Sequence, residues 1–472
     1  MSSRPLPRIG ARLALQGLLA LSYFLTAKLG LQLAFLNSSA TTVWPPTGIA
    51  IAGLLVGGAG LWPAILLGAF LANVATTGLV LSSAGIAIGN TAEALIGAYL
   101  VNRFADGRDA MTRAQSIVKF AFLAGVVSTA ISATLGVTSL LAGGLLVPGT
   151  YGAVWLTWWM GDLVGAVMVA PVVLTWSAEP RLRWNRGQAL EAGALLLVLV
   201  VGDLAMFGGF LRPYPLIFLA LPLLLWPAFR FGPREAASAA VVLAGIAVAG
   251  TLRGHGPFAR GSPNESLLEL QSFMGVNAVT AVAVAAVVRE RKRLEARLAH
   301  LADHDSLTDV LTRRRFQDEL AQQLAHSQRY GTPGAVLFLD LDNFKSVNDR
   351  LGHGVGDQIL LSVARSLRVR LRDSDFLGRL GGDEFAVLLP WADGAQAQAV
   401  AAQLLRTIAS DRTVVGGTEI SMAASIGIAL IPEHGRTVEE LLAHADAAMF
   451  QAKAAGSNHL RVYAPEEGSA RG

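Results

Sequence analysis

The sequence has no cysteine, so neither disulfide staples nor thiolate metal sites are open to it. It is also short of charge. Only 15% of its 472 residues are Asp, Glu, Lys or Arg while 53% are hydrophobic, and its mean hydropathy is +0.49; soluble domains carry about 25% charged residues. The shortage is uneven: long apolar runs fill the chain as far as about residue 288, and charges gather after it. This excludes a wholly water-soluble globule and points to a membrane part followed by a soluble part. A net charge of +4 could suggest nucleic acid, but the arginines stand at the ends of apolar runs and in the segment after the last one. They are read as topology signals, with no nucleic-acid partner.

The apolar runs 13–35, 46–58, 61–77, 84–101, 117–142, 153–176, 189–207, 213–229, 236–252 and 267–288 read as about ten spans, with eight as the alternative; 46–58 is short enough for a re-entrant turn. Arg4, Arg8 and Arg12 precede the first run and no small-residue cleavage site follows it, so it reads as an uncleaved helix. Basic loops with Arg103, Arg108 and Arg113, with Arg181, Arg183 and Arg186, and with Arg230 and Arg234 alternate with nearly uncharged ones. Both termini are therefore expected on the cytoplasmic side of a bacterial inner membrane, Arg253 and Arg260 running weakly against the pattern.

Acids inside spans are costly unless they face a cavity or a partner. Asp162, after Trp155, Trp158 and Trp159, and Glu93, after Asn90, form the candidate membrane sensory site for a small, unidentified signal. Interhelical hydrogen bonding is the alternative for these and for Asp203. Lys28 and Glu191 lie nearer span ends and are read as snorkelling, and the tryptophans as interfacial anchors. Over 289–303 the chain turns strongly charged, and Val287, Leu294, Leu298 and Leu301 recur at coiled-coil spacing, which predicts a dimer seam continuing the last span. A solvated linker helix resting on anionic headgroups is the alternative.

The soluble part is organised around 379–390, Arg-Leu-Gly-Gly-Asp-Glu-Phe-Ala-Val-Leu-Leu-Pro. Two apolar strands flank a turn in which Gly381 and Gly382 are expected to supply positive φ angles. Asp383 and Glu384 follow directly, and a carboxylate pair on such a turn can hold a divalent cation while bare amides face phosphate oxygens. An ordinary acidic hairpin turn is the alternative. Upstream, the apolar strand 335–339 ends in Asp340-Leu341-Asp342, which can share a metal with the turn. Helices near 313–328, 356–371, 395–409 and 438–455 alternate with strands 335–340, 376–389 (a hairpin), 420–431 and 460–463, which predicts an α+β, ferredoxin-like fold.

These motifs, with Asp305-Ser306-Leu307-Thr308, Asn343-Phe344-Lys345, Asn348-Asp349, Gly352-His353, Gly356-Asp357 and Ala452-Lys453 in order, resemble the GGDEF domain of diguanylate cyclases. Trp44-Pro45-Pro46-Thr47-Gly48, Leu61-Trp62-Pro63 with Gly68 to Asn73, and Trp158-Trp159-Met160-Gly161-Asp162-Leu163-Val164-Gly165 resemble a MASE1 membrane sensory domain. The expected layout is a sensory domain over 1–288, a signalling helix over 289–303, a GGDEF domain over 304–464 and a disordered tail over 465–472.

The resemblance implies condensation of two GTP into cyclic di-GMP in a homodimer, the 3′-hydroxyl of one GTP attacking the α-phosphate of the other. It implies Mg²⁺ (or Mn²⁺) held by Asp340, the Leu341 carbonyl and Asp383, with Asp383 also the proton acceptor and Glu384 its partner acid. Lys345 and Lys453 would meet triphosphate oxygens, Lys345 offsetting transition-state charge, with Phe344, Gly381 and Gly382 close to the phosphates. Asn348 and Asp357 would read the guanine edge, since adenine would leave the carboxylate unpaired; a helix N-cap is the alternative for Asp357. His353 reads as a ribose-proximal loop group rather than a general base. Arg372 and Asp375, an Arg-x-x-Asp nine residues before Gly381, match the family's inhibitory product site, against the alternative of a solvated turn.

The sequence departs from the GGDEF pattern at Asp309, Val310 and Thr312, where Gly, Leu and Asn are usual, and at Ser457, where Arg is usual. Two other classes remain open: a silent cyclic di-GMP receptor, and a membrane transporter with a regulatory tail.

Overall fold

In hydrocarbon every peptide N–H and C=O must be satisfied within its own segment, so long runs of Ala, Leu and Val form helices. The computed structural model describes residues 9–32, 34–37, 40–147, 149–182, 184–208, 216–259, 262–415 and 418–465. Arg4, Arg8, Arg183, Arg260 and the tail from 466 onward lie outside the described residues. The chain divides into two compact units, Met1–Arg293 and Leu294–Gly472.

In the first unit, eight helices among the described residues are long and apolar enough to cross a membrane: Gly10–Leu31, Ala59–Thr77, Val80–Phe104, Ala114–Ala142, Tyr151–Ala178, Arg186–Phe207, Pro233–Leu252 and Asn264–Asp303. Two of the ten expected spans are shorter helices, Pro45–Gly57 and Leu216–Arg230. The first of these is bounded by its own residue types. Prolines open it, where a missing N–H costs nothing, and Gly58 at φ 91 closes it.

The two motifs of this unit are the two sides of one helix crossing. Trp44 N donates to the Gly161 carbonyl at 3.0 Å. A Cβ on Gly165 would stand 2.0 Å from the Trp44 carbonyl, and one on Gly48 would stand 2.4 Å from the Gly165 carbonyl. Backbone meets backbone here, which is how small residues bring helices together where no hydrophobic effect operates. Lys28 and Glu191 both have partners: Lys28 Nζ donates to Thr76 Oγ1 at 3.2 Å, and Glu191 pairs with Arg230.

The second unit is built on a six-stranded sheet in the order Leu460–Val462, Ala424–Ile431, Gly334–Leu341, Glu384–Pro390, Phe376–Gly381, Leu311–Thr312. Gly334–Leu341 is central and pairs antiparallel with both neighbours. It is buried at every position but Asp340, because helices cover both faces of the sheet. The order is that of the ferredoxin-like fold with edge additions.

Two details differ from expectation. The strand expected over 420–431 is broken: Thr413–Val415 and Thr418–Ile420 form a separate hairpin, and the sheet strand starts at Ala424. The Ala423 carbonyl meanwhile accepts from Asp342 N at 2.9 Å, holding the loop beside the acidic end of the central strand. An additional helix, Phe344–Leu351, follows Asn343, which takes a left-handed φ of 57.

Because the Gly165 contact is backbone against backbone, a side chain there has no flexible neighbour to displace. Gly165→Ala should lower the stability of the detergent-extracted protein by roughly 1–3 kcal/mol, the usual cost of overpacking. Ala at Gly152, which has open space around it, should leave the thermal midpoint nearly unchanged.

Candidate functional site

The register of the central sheet decides which acids meet. Asp340, at the end of its strand, lies opposite Glu384 on one side and Ser425 on the other. Asp383 sits in the turn just before Glu384 and interacts electrostatically with Asp340, Glu384 and Lys453. The turn needs left-handed backbone at Gly382 alone, at φ 41. Gly381 differs from expectation: it ends its strand, pairs with Glu384 across a bulge and has no positive φ.

Burial pushes the Asp340 carboxyl above its ordinary range, against the pull of Lys453, and Asp383 and Asp342 add to the push. Glu384 is raised as well, by burial and then by Asp446, Asp340 and Asp383. Burial works against the Lys453 ammonium, yet its pKa is raised, because Asp340 lies 2.6 Å from Nζ and Asp342 and Asp383 stand near. Crowded carboxylates served by a single ammonium form a set that a divalent cation would relieve. The oxygen-only donor set fits magnesium or manganese.

Lys453 thus ion-pairs with Asp340 rather than standing free for phosphate. Among the described residues the three acids are not drawn within 4.8 Å of one another, as His300, His304 and Asp309 are. Mutual repulsion and the Lys453 bridge account for the spread.

The remaining expected residues fall around this end of the sheet or on the helices beside it. Leu341 is fully buried, Phe344 is packed into the core, and Lys345 is exposed one residue on. Asn348 Oδ1 is buried without a partner, and a Cβ on Gly356 would stand 1.9 Å from it; the glycine leaves room for this acceptor. His353 and Asp357 are exposed on the helix His353–Arg370. Gly352 holds the cap position, so Asp357 is not the N-cap that the sequence left open.

Asp375 is buried and folds back on its own turn, Oδ2 accepting from Arg372 N at 2.9 Å. It lines a groove of about 620 Å³ with Arg365, Arg368 and Asp373, while the Arg372 side chain does not.

Three groups had no assigned role in the sequence. Arg379 Nε and Nη2 donate to the Gly382 carbonyl at 2.9 and 2.7 Å, and Nη1 to Asp305 at 3.0 Å. Asp305 also accepts from Thr308 N and Oγ1. Burial would raise the Asp305 carboxyl, but these donors hold it below its ordinary range. The Asp-Ser-Leu-Thr motif is therefore the anchor of the signature turn. Asp446 is the third; its only sequence signal is its spacing from Lys453, two helical turns later on Val438–Ala454.

The departures are accommodated. Thr312 caps the helix Arg313–Tyr330, accepting from Arg315 N, a role Asn also fills. Val310 is buried in the core. Asp309 takes φ 59, which explains why glycine is usual there.

The membrane unit holds a second polar cluster. Glu93 and Asp162 are buried within electrostatic reach of each other, with Thr47 and Ser132 beside both. Tyr23 Oη, Trp44 Nε1, Asn90 Nδ2, Glu93 Oε1 and Asp162 Oδ2 are all buried without partners. Tyr23 interacts with Trp44, Asn90 and both acids, which ties these groups together. Asp203 is buried too, both oxygens unpartnered.

Comparison with known proteins agrees with this division. The MASE1 family profile matches residues 15–292, more than half of the chain. The profile described as "Diguanylate cyclase, GGDEF domain" matches residues 302–459. The chain belongs to the MASE1 family and carries a GGDEF domain after its membrane part.

Diguanylate cyclase TpbB of Pseudomonas aeruginosa is 46% identical over 168 residues, 35% of this chain and 39% of TpbB. The bifunctional diguanylate cyclase/cyclic di-GMP phosphodiesterase MucR of the same organism is 43% identical over 166 residues, 35% of this chain and 24% of MucR. The matched stretch is thus well under half of either relative. The solved GGDEF domain of TpbB is 42% identical, covering 34% of this chain and 94% of that one, with a TM-score of 0.33.

With Asp340 and Glu384 both raised, affinity for Mg²⁺ should fall as pH is lowered through their raised range, because protons then compete for the same oxygens. Titration calorimetry at neutral and mildly acidic pH measures this, and Asp340→Asn should weaken binding by about tenfold or more. Arg379→Ala frees the Gly382 carbonyl and should speed amide exchange across 380–384 while leaving the core strands protected.

Proposed function

We infer that this chain is a multi-pass inner-membrane diguanylate cyclase, making cyclic di-GMP from two GTP with release of two pyrophosphates. The observation that carries the reading is an intact signature turn whose Asp383 and Glu384 stand beside Asp340, at the acidic end of the central strand. The alternation of basic and uncharged loops supports a cytoplasmic placement of both termini, where GTP is found.

Asp340, the Leu341 carbonyl and Asp383 would hold magnesium, which supplies neutralisation of phosphate charge and acidification of the attacking hydroxyl. Asp383 takes the proton of the 3′-hydroxyl, with Glu384 as its neighbouring acid. Lys453 exchanges Asp340 for a triphosphate oxygen when substrate arrives, and exposed Lys345 meets the same phosphates. Asn348, with a buried acceptor lacking a partner, answers a guanine N–H, and Asp357 takes the other donors of that edge. His353 lies near the ribose, and Gly381 and Gly382 leave backbone open to the phosphates.

Condensing two nucleotides requires two protomers. Val287, Leu294, Leu298 and Leu301 are each more than half exposed on the helix Pro263–Asp303, an apolar stripe suited to a second copy. Arg372 and Asp375, with Arg365 and Arg368 beside the groove, would bind product and restrain turnover. The buried cluster around Glu93 and Asp162 serves as the recognition site for a small polar signal, since burying that many unpartnered groups is costly without a ligand.

Purified full-length protein given GTP and Mg²⁺ should form cyclic di-GMP, read by chromatography, and Asp383→Ala should reduce the rate by about a hundredfold or more. Formation of no product by the wild-type protein would favour a silent receptor. Glu93→Gln with Asp162→Asn should leave GGDEF turnover within about twofold in detergent and raise the thermal midpoint, as relief of two buried acids stabilises the membrane unit.

A further inference from the structure

The long helix Pro263–Asp303 ends in two histidines one turn apart. His304 N still donates to the His300 carbonyl at 2.8 Å, so the helical turn runs through both. Their rings stack with centroids 4.2 Å apart. The following turn folds back until Asp309 faces them, Oδ1 lying 2.9 Å from His300 Nε2. The Asp309 carbonyl lies 2.9 Å from His304 Nδ1. One ligand atom from each of the three residues falls within 4.8 Å of the others.

A carbonyl only accepts, so His304 Nδ1 carries the hydrogen and Nε2 presents its lone pair. This is the orientation in which metal-bound imidazoles are held, the other ring nitrogen donating to a backbone carbonyl or carboxylate. Histidines at i and i+4 share a helix face, the spacing used by helical zinc sites. Asp309 contributes its carboxylate from φ 59, a backbone that glycine adopts more easily. The side chains of His300 and Asp309 are 53% and 77% exposed, leaving a coordination position open to water. Two nitrogens and one carboxylate oxygen suit zinc, nickel or copper, whereas magnesium takes oxygens in octahedral array.

We propose that His300, His304 and Asp309 form a binding site for a divalent transition-metal ion of the zinc class, distinct from the acids at the end of the sheet. The ion clips the end of the helix to the turn 305–309. That turn is joined to the signature hairpin through Asp305, Arg379 and the Gly382 carbonyl, so the clip stiffens the backbone leading to Asp383.

The test uses metal-stripped full-length protein in detergent, titrated with zinc chloride in excess Mg²⁺. Calorimetry should give one zinc per chain at about micromolar affinity or tighter. Asp309→Gly, which relaxes the backbone, and His300→Gln with His304→Gln should each weaken zinc by at least about tenfold. Zinc should also slow amide exchange over 300–311 in the wild-type protein alone. Absence of zinc binding, binding unchanged in both variants, or exchange over 300–311 that zinc does not slow would overturn the proposal.

Discussion

The catalytic unit depends on one electrostatic constraint: acids forced together at the end of a buried strand with too little positive charge to balance them. Asp340 is brought there because its strand is the centre of the sheet and its antiparallel register sets it opposite Glu384. Burial and mutual repulsion raise both carboxyls, and Lys453 supplies the nearest ammonium. A protein that only needed a stable hairpin would fare better with neutral residues here, since like charges in a half-buried pocket weaken the fold. The arrangement makes sense as a socket that a divalent cation and a polyphosphate complete together. The neighbouring structure serves the same end: Arg379 braces the turn, and Asp305 holds Arg379.

The membrane unit poses the same kind of problem in a harsher solvent. Helices meet there through backbone approach at Gly48, Gly161 and Gly165. The Trp44 to Gly48 stretch is therefore a packing motif first. Beside that crossing lie Glu93, Asp162 and several unpartnered donors, a concentration of unsatisfied polarity that packing alone does not require.

Much of this was legible in the sequence because the relevant signals are local. Spanning helices follow from apolar length, and the acidic turn follows from two glycines and two acids between apolar runs. What the sequence left out depends on register and on long-range contact. That Asp340 lies opposite Glu384, that Lys453 bridges to it, and that Asp446 adds to the charge are facts of pairing between elements far apart in the chain. Expectations built on residue type alone were the ones to shift. Gly381 has no positive φ because a bulge, not the turn, accommodates it. Asp357 is not a cap because the helix starts four residues earlier, at His353. The strand expected over 420–431 breaks because its first part pairs locally. The His-x-x-x-His spacing was visible, but its third partner, Asp309, reaches it only through a left-handed turn.

The central claim is that Asp340 and Asp383 share one cation beneath a guanosine triphosphate. The most direct measurement is a structure of the protein with Mn²⁺ and a slowly reacting GTP analogue, with the anomalous signal of manganese locating the ion. The account predicts a peak at about 2.0–2.2 Å from oxygens of both carboxylates and of the triphosphate. A manganese ion that touches only one of them, or a nucleotide bound away from that end of the sheet, would contradict it.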